Sequence, residues 1–281
     1  MSVPPAKPPA ARSAHPGVTE RDVRRWGTGA RPVLRPDRVA VEEPLEIRVE
    51  TRSIAVVMRT PGHDEELAAG FLLSEGILRD RAALRSVRPH PRNAHGNVVD
   101  AHLADGVKVD LSRFTRHVFA SSSCGLCGVA TLEAVRRQFR KVVDRTPVSI
   151  ATMRELAGRL GSLQEGFAAT GGLHAAALVA PDGRVLAMRE DVGRHNAVDK
   201  VVGRLFLDGL LPVAGGVLWV SGRASFEIVQ KALAAGIPVI AAVGAPSSLA
   251  IDFARANGQT LVGFLRDGRF NVYSGPRRLR A

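Results

Sequence analysis

The stretch "VLWVSGRASFEIVQKALAAGIPVIAAVGAPSS", residues 217–248, runs twice through one order: apolar strand, glycine, small polar residues, helix start. "VLWV" and "VIAA" are short uninterrupted apolar runs, the pattern of strands buried on both faces of a sheet. "FEIVQKALAAG" between them has the length of a helix and ends on a glycine stop signal. Helices alternating with continuous apolar strands predict a mainly parallel sheet covered on both faces, a three-layer α/β domain. Ser221, Gly222, Arg223 and Ser225 then follow one strand, and Gly244, Ser247 and Ser248 follow the next. If the strands are parallel neighbours, both groups meet at the carboxyl edge of the sheet, where α/β folds bind ligands. Free N–H groups at helix starts bind phosphate. N-capping and tight turns account for either junction alone. Neither junction matches a P-loop or a dinucleotide fingerprint, so the pair predicts an anionic ligand, nucleotide-bearing ones included, without naming it.

The same rhythm extends outward. "GGLHAAALVAPDGRVLAMRE" (171–190) reads as two strands around a Pro181-Asp182-Gly183 turn. "HNAVDKVVGRLFLDG" (195–209) reads as a helix with Val198, Val201, Val202, Leu205 and Phe206 on one side. "SLAIDFARANG" is a further helix, and "TLVGFLR" and "RFNVYS" are closing strands. Towards the N-terminus, "VAVEE", "LEIRVE" and "SIAVVMR" read as short β segments. "PGHDEELAAGFLLSEGIL" (61–78) reads as a helix whose first-turn acids suit the helix dipole and whose His63 belongs to a solvated first turn. "GNVVDAHLADGVKVDL" (96–111) alternates and turns at Asp105-Gly106, a β-hairpin signal. Helices are expected over "VATLEAVRRQF" (129–139) and "SIATMRELAGRL" (149–160), the second capped by Ser149. The expected organisation is a disordered basic Pro/Ala-rich tail over 1–30 and a smaller β-rich part with one helix over 31–118. An α/β domain over 119–275 and a short basic tail over 276–281 complete it.

At 281 residues the chain has room for a substantial core. No apolar run approaches the roughly 20 residues of a membrane span, so no membrane partner is expected. The N-terminus lacks the apolar core of a secretory signal, so the cytoplasm is the expected compartment. The net charge of +12 is concentrated at the ends, +5 in residues 1–40 and +4 in residues 265–281. With two Trp and one Tyr there is little to stack on bases, so a basic rim for an anionic ligand or partner is favoured over nucleic-acid binding.

Both cysteines, Cys124 and Cys127, lie in "SSSCGLCG". A structural zinc site needs four ligands, and a CxxC supplies two. His63-Asp64-Glu65 followed by the CxxC resembles the deaminase pattern H-x-E…P-C-x-x-C, but Ser123 stands where the proline belongs. A thioredoxin-type pair lacks a buried strand ahead of it. A sulfur nucleophile fits better. The helix expected at 129 begins just after the pair, and a helix N-terminus favours thiolate over thiol. Gly125 and Gly128 leave room for a partner's sulfur, and a second thiol three residues away can attack a persulfide and release its sulfur. The remaining polar concentration is "REDVGRHNAVDKVVG" (189–203). There Arg194, His195 and Asn196 beside Glu190 and Asp191 suggest a site, while Asp199 and Lys200 fit a solvated helix start.

Taken together, these segments resemble the formate dehydrogenase accessory sulfurtransferase family (FdhD). The matching stretches are "PGHDEELAAGFLLSEGI", "SSSCGLCG", "GGLHAAAL", "EDVGRHNAVDKVVG", "SGRASFEIVQKALAAGIPVIAAVGAPSSLAI" and "GFLRDGRFNVY", in the family's order over about residues 50–275. The resemblance implies a cytidine-deaminase-like fold without the deaminase zinc, and a homodimer. It implies sulfur taken from a cysteine desulfurase and passed to the molybdenum bis(molybdopterin guanine dinucleotide) cofactor before insertion into formate dehydrogenase. The persulfide cysteine matches Cys124, and Cys127 matches a second thiol that some relatives lack. The cofactor-binding segment matches Phe264, Leu265, Arg266, Asp267, Gly268 and Arg269. Gly172, His174, Arg194, His195, Ser221, Gly222, Arg223 and Ser247 complete the expected cofactor-binding set, with no metal ligand. The competing expectations are a cofactor chaperone without sulfur chemistry and a zinc-dependent deaminase.

Overall fold

The computed structural model describes residues 16–29, 31–91, 93, 95–109 and 139–281. Cys124, Cys127 and nearly all of the helix expected at 129–139 lie outside the described residues. Fourteen strands are described: β1 Val18–Arg25, β2 Val33–Ala40, β3 Glu43–Val49, β4 Arg52–Arg59, β5 Leu84–Pro89, β6 Val98–Leu103, β7 Val148–Ser149, β8 His174–Val179, β9 Val185–Asp191, β10 Val217–Val220, β11 Val239–Ala242, β12 Thr260–Arg266, β13 Arg269–Ser274 and β14 Leu279–Arg280. The helices are α1 Asp64–Ser74, α2 Ile150–Gly161, α3 Glu165–Thr170, α4 Arg194–Leu207, α5 Phe226–Ala234 and α6 Ser248–Ala256.

The central sheet has the order β13-β12-β11-β10-β8-β9. Strands β10, β11 and β12 are parallel, with Val217 opposite Val239 and Val239 opposite Thr260. The expectation of a mainly parallel sheet is corrected to a mixed one. The pairs β8/β9, β8/β10 and β12/β13 are antiparallel. The reason lies in the connections: the tight turns at Pro181-Asp182-Gly183 and Asp267-Gly268 can join only antiparallel strands.

Alternate residues of these strands enter two separate cores. Ala176, Leu178, Leu218, Val220, Ile240 and Ala242 face α1, α4, α5 and α6. Ala175, Ala177, Val179, Val217, Trp219 and Ala241 face Met153, Leu156 and Leu160 of α2. Both faces are thus covered, as uninterrupted apolar strands require. The first core continues without a break into a four-stranded sheet of order β4-β3-β6-β5 through Leu45, Ile47, Leu67 and Leu72.

That continuity depends on glycine. A Cβ on Gly70 of α1 would fall on the carbonyl of Asp199 in α4, and one on Gly203 of α4 on the carbonyl of Glu66 in α1. The two helices therefore touch backbone to backbone, closer than any other residue pair would allow.

Several expectations change in this N-terminal half. The 96–111 hairpin does not form as such: the turn at Asp105-Gly106 exists, with Gly106 at φ +80, but Val107–Val109 form no strand. Strand β6 instead pairs with β5 on one side and β3 on the other. Alternation marks a strand without naming its partner. The first turn of α1 is not solvated. Asp64 accepts two hydrogen bonds from the buried Arg59, and Glu66 accepts two from Arg189 at 2.7 and 2.8 Å. Burial would raise the Glu66 carboxyl, but hydrogen bonds from His63 and Arg189 override it and hold the pKa at about 2.

Both expected tails contain structure too. Strand β1 lies within 1–30 and pairs with β2 as a polar two-stranded ribbon. Strand β14 pairs with β7, and Arg278 donates to the carbonyl of Asp144. No helix among the described residues is long and apolar enough to cross a membrane. We expect Gly203→Ala to destabilise the protein by about 3 kcal/mol, an overpacking cost at the high end because the clash is with backbone. Urea unfolding of the purified variant measures it.

Candidate functional site

The carboxyl ends of β10, β11 and β12 lie side by side, together with the start of β8 and the end of β9. This edge gathers most of the residues singled out from the sequence. After β10 the chain turns through Ser221, Gly222 and Arg223 into α5. The Ser221 hydroxyl accepts from the Ala175 N–H at 2.9 Å, which closes the start of β8 onto the end of β10. After β11, Gly244 donates its N–H to the Gly222 carbonyl at 2.9 Å, and its own carbonyl accepts from Phe264 N–H at 3.1 Å. A Cβ on Gly244 would sit 3.0 Å from the Gly222 oxygen and 3.1 Å from the Arg223 Cα. The glycines therefore let three strand ends converge with bare backbone at their junction.

Cationic groups surround that floor. A Cβ on Gly222 would meet the His174 ring at 3.5 Å and the Arg194 side chain at 3.9 Å. Burial first, and then the neighbouring charges of Arg194, His195 and Arg223, lower the His174 pKa, which favours the neutral imidazole. The Arg194 Nε is buried with no hydrogen-bond partner among the described residues. An orphaned guanidinium donor in such a place suits an oxyanion ligand. His195 Nε2 lies 3.3 Å from the Ser225 hydroxyl and 3.7 Å from a Glu227 carboxylate oxygen. The His195 contact, chiefly, holds the Glu227 pKa at about 2.

Further along this edge, Arg266 and Arg269 face each other across the Asp267-Gly268 turn, whose positive φ angles of 52° and 68° are those of a tight hairpin. Phe264 is part-exposed at φ 54°, a conformation rare for an aromatic residue, at an irregularity between β12 and β13. The structure thus brings His174, Arg194, His195, Ser221, Gly222, Arg223 and Phe264 together, with Arg266 to Arg269 on the hairpin beyond.

Three expected binding residues serve the fold. Leu265 points into the second core and is fully buried. Ser247 caps α6, accepting from Ala250 N–H at 3.2 Å. Gly172 sits against Ala40 at the root of the β1–β2 ribbon.

The two acids that made "REDVGRHN" look like a site are structural. Glu190 accepts from Gly166 and Phe167 N–H and caps α3. Asp191 is fully buried: it accepts from Gly193 N–H at 2.8 Å, Asn196 Nδ2 at 3.0 Å and Thr60 N–H at 3.1 Å, and pairs with Lys200 at 2.7 Å. Asp199 and Lys200, expected on a solvated helix start, are both buried. Asp199 pairs with Lys231 at 2.8 Å. Burial opposes the Lys231 charge, yet Asp199 and Glu75 raise its pKa above the usual lysine range. Sequence reading missed Glu227 and Ser225 as partners of His195, although "SFE" opens a helix directly after the strand-end glycine.

A cavity of about 910 Å³ lies at the opposite edge of the sheet, among Leu73, Phe206, Leu211, Leu233 and Phe139. It touches none of these groups.

Fold and site define an α/β protein whose mixed sheet presents a cationic, glycine-floored edge. The chain belongs to the FdhD/NarQ family, whose pattern matches residues 40–280. It is 51% identical over 272 residues to "Sulfur carrier protein FdhD" of Streptomyces avermitilis, covering 93% of this chain and 96% of that protein. It is 50% identical over 257 residues to the protein of the same name from Mycobacterium tuberculosis, covering 88% and 93%. Its fold matches the crystal structure of a candidate formate dehydrogenase accessory protein from Desulfotalea psychrophila. The TM-score is 0.77 at 24% identity, over 94% of this chain and all of that one.

Two outcomes follow from the buried and half-buried acids. Asp191→Ala removes the carboxylate partner of the buried Lys200, and should cost about 3–5 kcal/mol in chemical denaturation. Glu227 titrates near 2 when folded and near 4.5 when unfolded, so its contribution is present above pH 4.5 and is lost as pH falls through 2. Glu227→Gln should therefore be less stable than the parent by about 1 kcal/mol at neutral pH, a gap that closes at the acid end of a pH series of unfolding curves.

Proposed function

We propose that this protein is a sulfur carrier for formate dehydrogenase maturation. It takes persulfide sulfur from a cysteine desulfurase onto Cys124 and delivers it to the molybdenum bis(molybdopterin guanine dinucleotide) cofactor. The observation that carries the reading is membership of the FdhD/NarQ family at about half identity to proteins named sulfur carriers. The cationic edge supports it independently. A pyrophosphate-bearing ligand suits Arg194, Arg223, Arg266 and Arg269 as charge partners, with backbone at Gly222 and Gly244 allowing close approach. Phe264 offers an apolar face beside them. The protein acts as a cytoplasmic homodimer, in a deaminase-like fold that uses no zinc.

The sulfur chemistry uses the two cysteines and, where Cys127 takes part, an external dithiol as reductant. The Cys124 thiolate attacks the outer sulfur of the donor persulfide; the S–S bond breaks, the donor leaves as a thiolate, and Cys124 carries the sulfur as a persulfide. Transfer of that sulfur atom to an acceptor returns the Cys124 thiolate. Where Cys127 assists, its thiolate attacks the Cys124 sulfur and sulfide departs. A Cys124–Cys127 disulfide remains, which a cellular dithiol must reduce before the next cycle.

Incubation with a cysteine desulfurase and cysteine should add about 32 Da to the peptide containing Cys124, the mass of one sulfur on the thiol oxidation ladder. Cys124→Ala should abolish the adduct and the maturation of formate dehydrogenase. Maturation that survives Cys124→Ala but fails on Arg194→Ala or Arg266→Ala would instead assign a cofactor chaperone without covalent chemistry.

A further inference from the structure

The β1–β2 ribbon is unaccounted for by the sulfur-carrier reading, and nearly all of it precedes residue 40, where the family pattern begins. Eight paired positions make it roughly 25 Å long at about 3.3 Å per residue. Its root is held: Val18 opposite Ala40 is buried, and Ala40 packs on Gly172 beside α3. Its tip is not covered by any described part of the chain. Trp26, Val33 and Leu34 are 68%, 54% and 66% exposed.

Charge is sorted along the ribbon in the same sense. Its acids, Glu20, Asp22 and Asp37, fall in the third to fifth pairs from the root, and Glu20 reaches Arg38 at 4.0 Å. From Val23 to Pro36 there is no acid, and the tip carries Arg24, Arg25, Arg31 and Arg35. Cross-strand pairs place Arg24 beside Leu34 and Arg25 beside Val33. Because these two pairs point to opposite faces of the ribbon, each face carries one guanidinium and one apolar group.

A flat protein-docking patch would be one-sided. A wedge apolar on both faces and ringed by guanidiniums matches an anionic lipid–water interface, where tryptophan sits at headgroup depth and arginines meet phosphates. A second copy of this tip is a poor match, since a two-fold contact would set Arg24, Arg25, Arg31 and Arg35 against their like-charged counterparts. Nucleic acid would meet the arginines without covering the valine and leucine. We propose that the ribbon tip docks the protein peripherally on an anionic membrane surface, with Trp26, Val33 and Leu34 entering the interface and Arg24, Arg25, Arg31 and Arg35 contacting lipid phosphates.

Trp26 makes the test clean, because the chain's other tryptophan, Trp219, is 1% exposed in the core. The full-length protein is mixed at low salt with equimolar phosphatidylglycerol–phosphatidylcholine vesicles, and with pure phosphatidylcholine vesicles as the neutral control. Co-sedimentation with the anionic vesicles alone, with a blue shift of tryptophan emission, is the expected result. Trp26→Phe should keep the sedimentation and lose the blue shift. Arg24→Gln combined with Arg35→Gln should weaken binding about 25-fold, at about fivefold per guanidinium. These side chains are exposed, so unchanged circular dichroism is expected of each variant. The proposal is overturned if the anionic vesicles do not retain the protein, or if the double arginine variant binds as well as the parent. It is equally overturned if Trp26→Ser with Leu34→Ser leaves vesicle binding intact while dissociating an oligomer, which would assign the tip to a second copy. Retention on duplex DNA without retention on vesicles would assign it to nucleic acid.

Discussion

One buried carboxylate organises the functional edge of this protein. Asp191, at the end of β9, has no access to solvent and is satisfied from three directions: the turn that follows it, the first turns of α4, and Thr60 after β4. Lys200 supplies the compensating charge and also donates to the Thr60 carbonyl at 2.8 Å. A buried charge with several well-made partners tolerates few alternative geometries, because any shift leaves a polar group unpaired in a medium that penalises it. Arg194 and His195 are thereby presented from a rigid helix start. The N-terminal sheet, through Thr60 and Met58, is part of the site's scaffold although it supplies no candidate binding residue among those described.

The contact of α1 with α4 performs the same service on a larger scale. Gly70 and Gly203 bring the two backbones together, and the pairs on either side, Glu66 with Arg189 and Asp199 with Lys231, tie both helices to the sheet and to α5. The charged residues of α1 and α4 thus act mostly inward. The cationic edge and the ribbon tip, by contrast, present their arginines outward.

Much of this was legible in the sequence where local signals are strong. The two strand–glycine–helix junctions, the Pro181-Asp182-Gly183 turn and the Ser149 cap appear as read, since each rests on backbone requirements that neighbouring residues meet. The readings that changed concern residues whose role depends on what lies opposite. Asp64, Glu66, Asp199 and Lys200 sit at helix positions that look solvated, and only the packing of one helix on another buries them. Glu190 and Asp191 have the composition of a site and the contacts of a scaffold. Strand β1, nearly all polar, carries no period-two apolar pattern to mark it.

The sequence by itself determined the α/β class, the order of the strands and helices from residue 171 onward, the glycine junctions and the family. These follow from short-range rules: apolar runs, turn residues and motifs that a linear chain displays directly. Only the tertiary structure decided that the sheet is mixed, that β6 pairs with β5 and β3, and that Gly222, Gly244 and Phe264 converge while Leu265 and Ser247 are taken by the fold. The contact of α1 with α4 and the third partner of Asp191 come from more than a hundred residues away, as Gly70 is from Asp199 and Thr60 is from Asp191. Local sequence holds no record of such partners until the chain has packed.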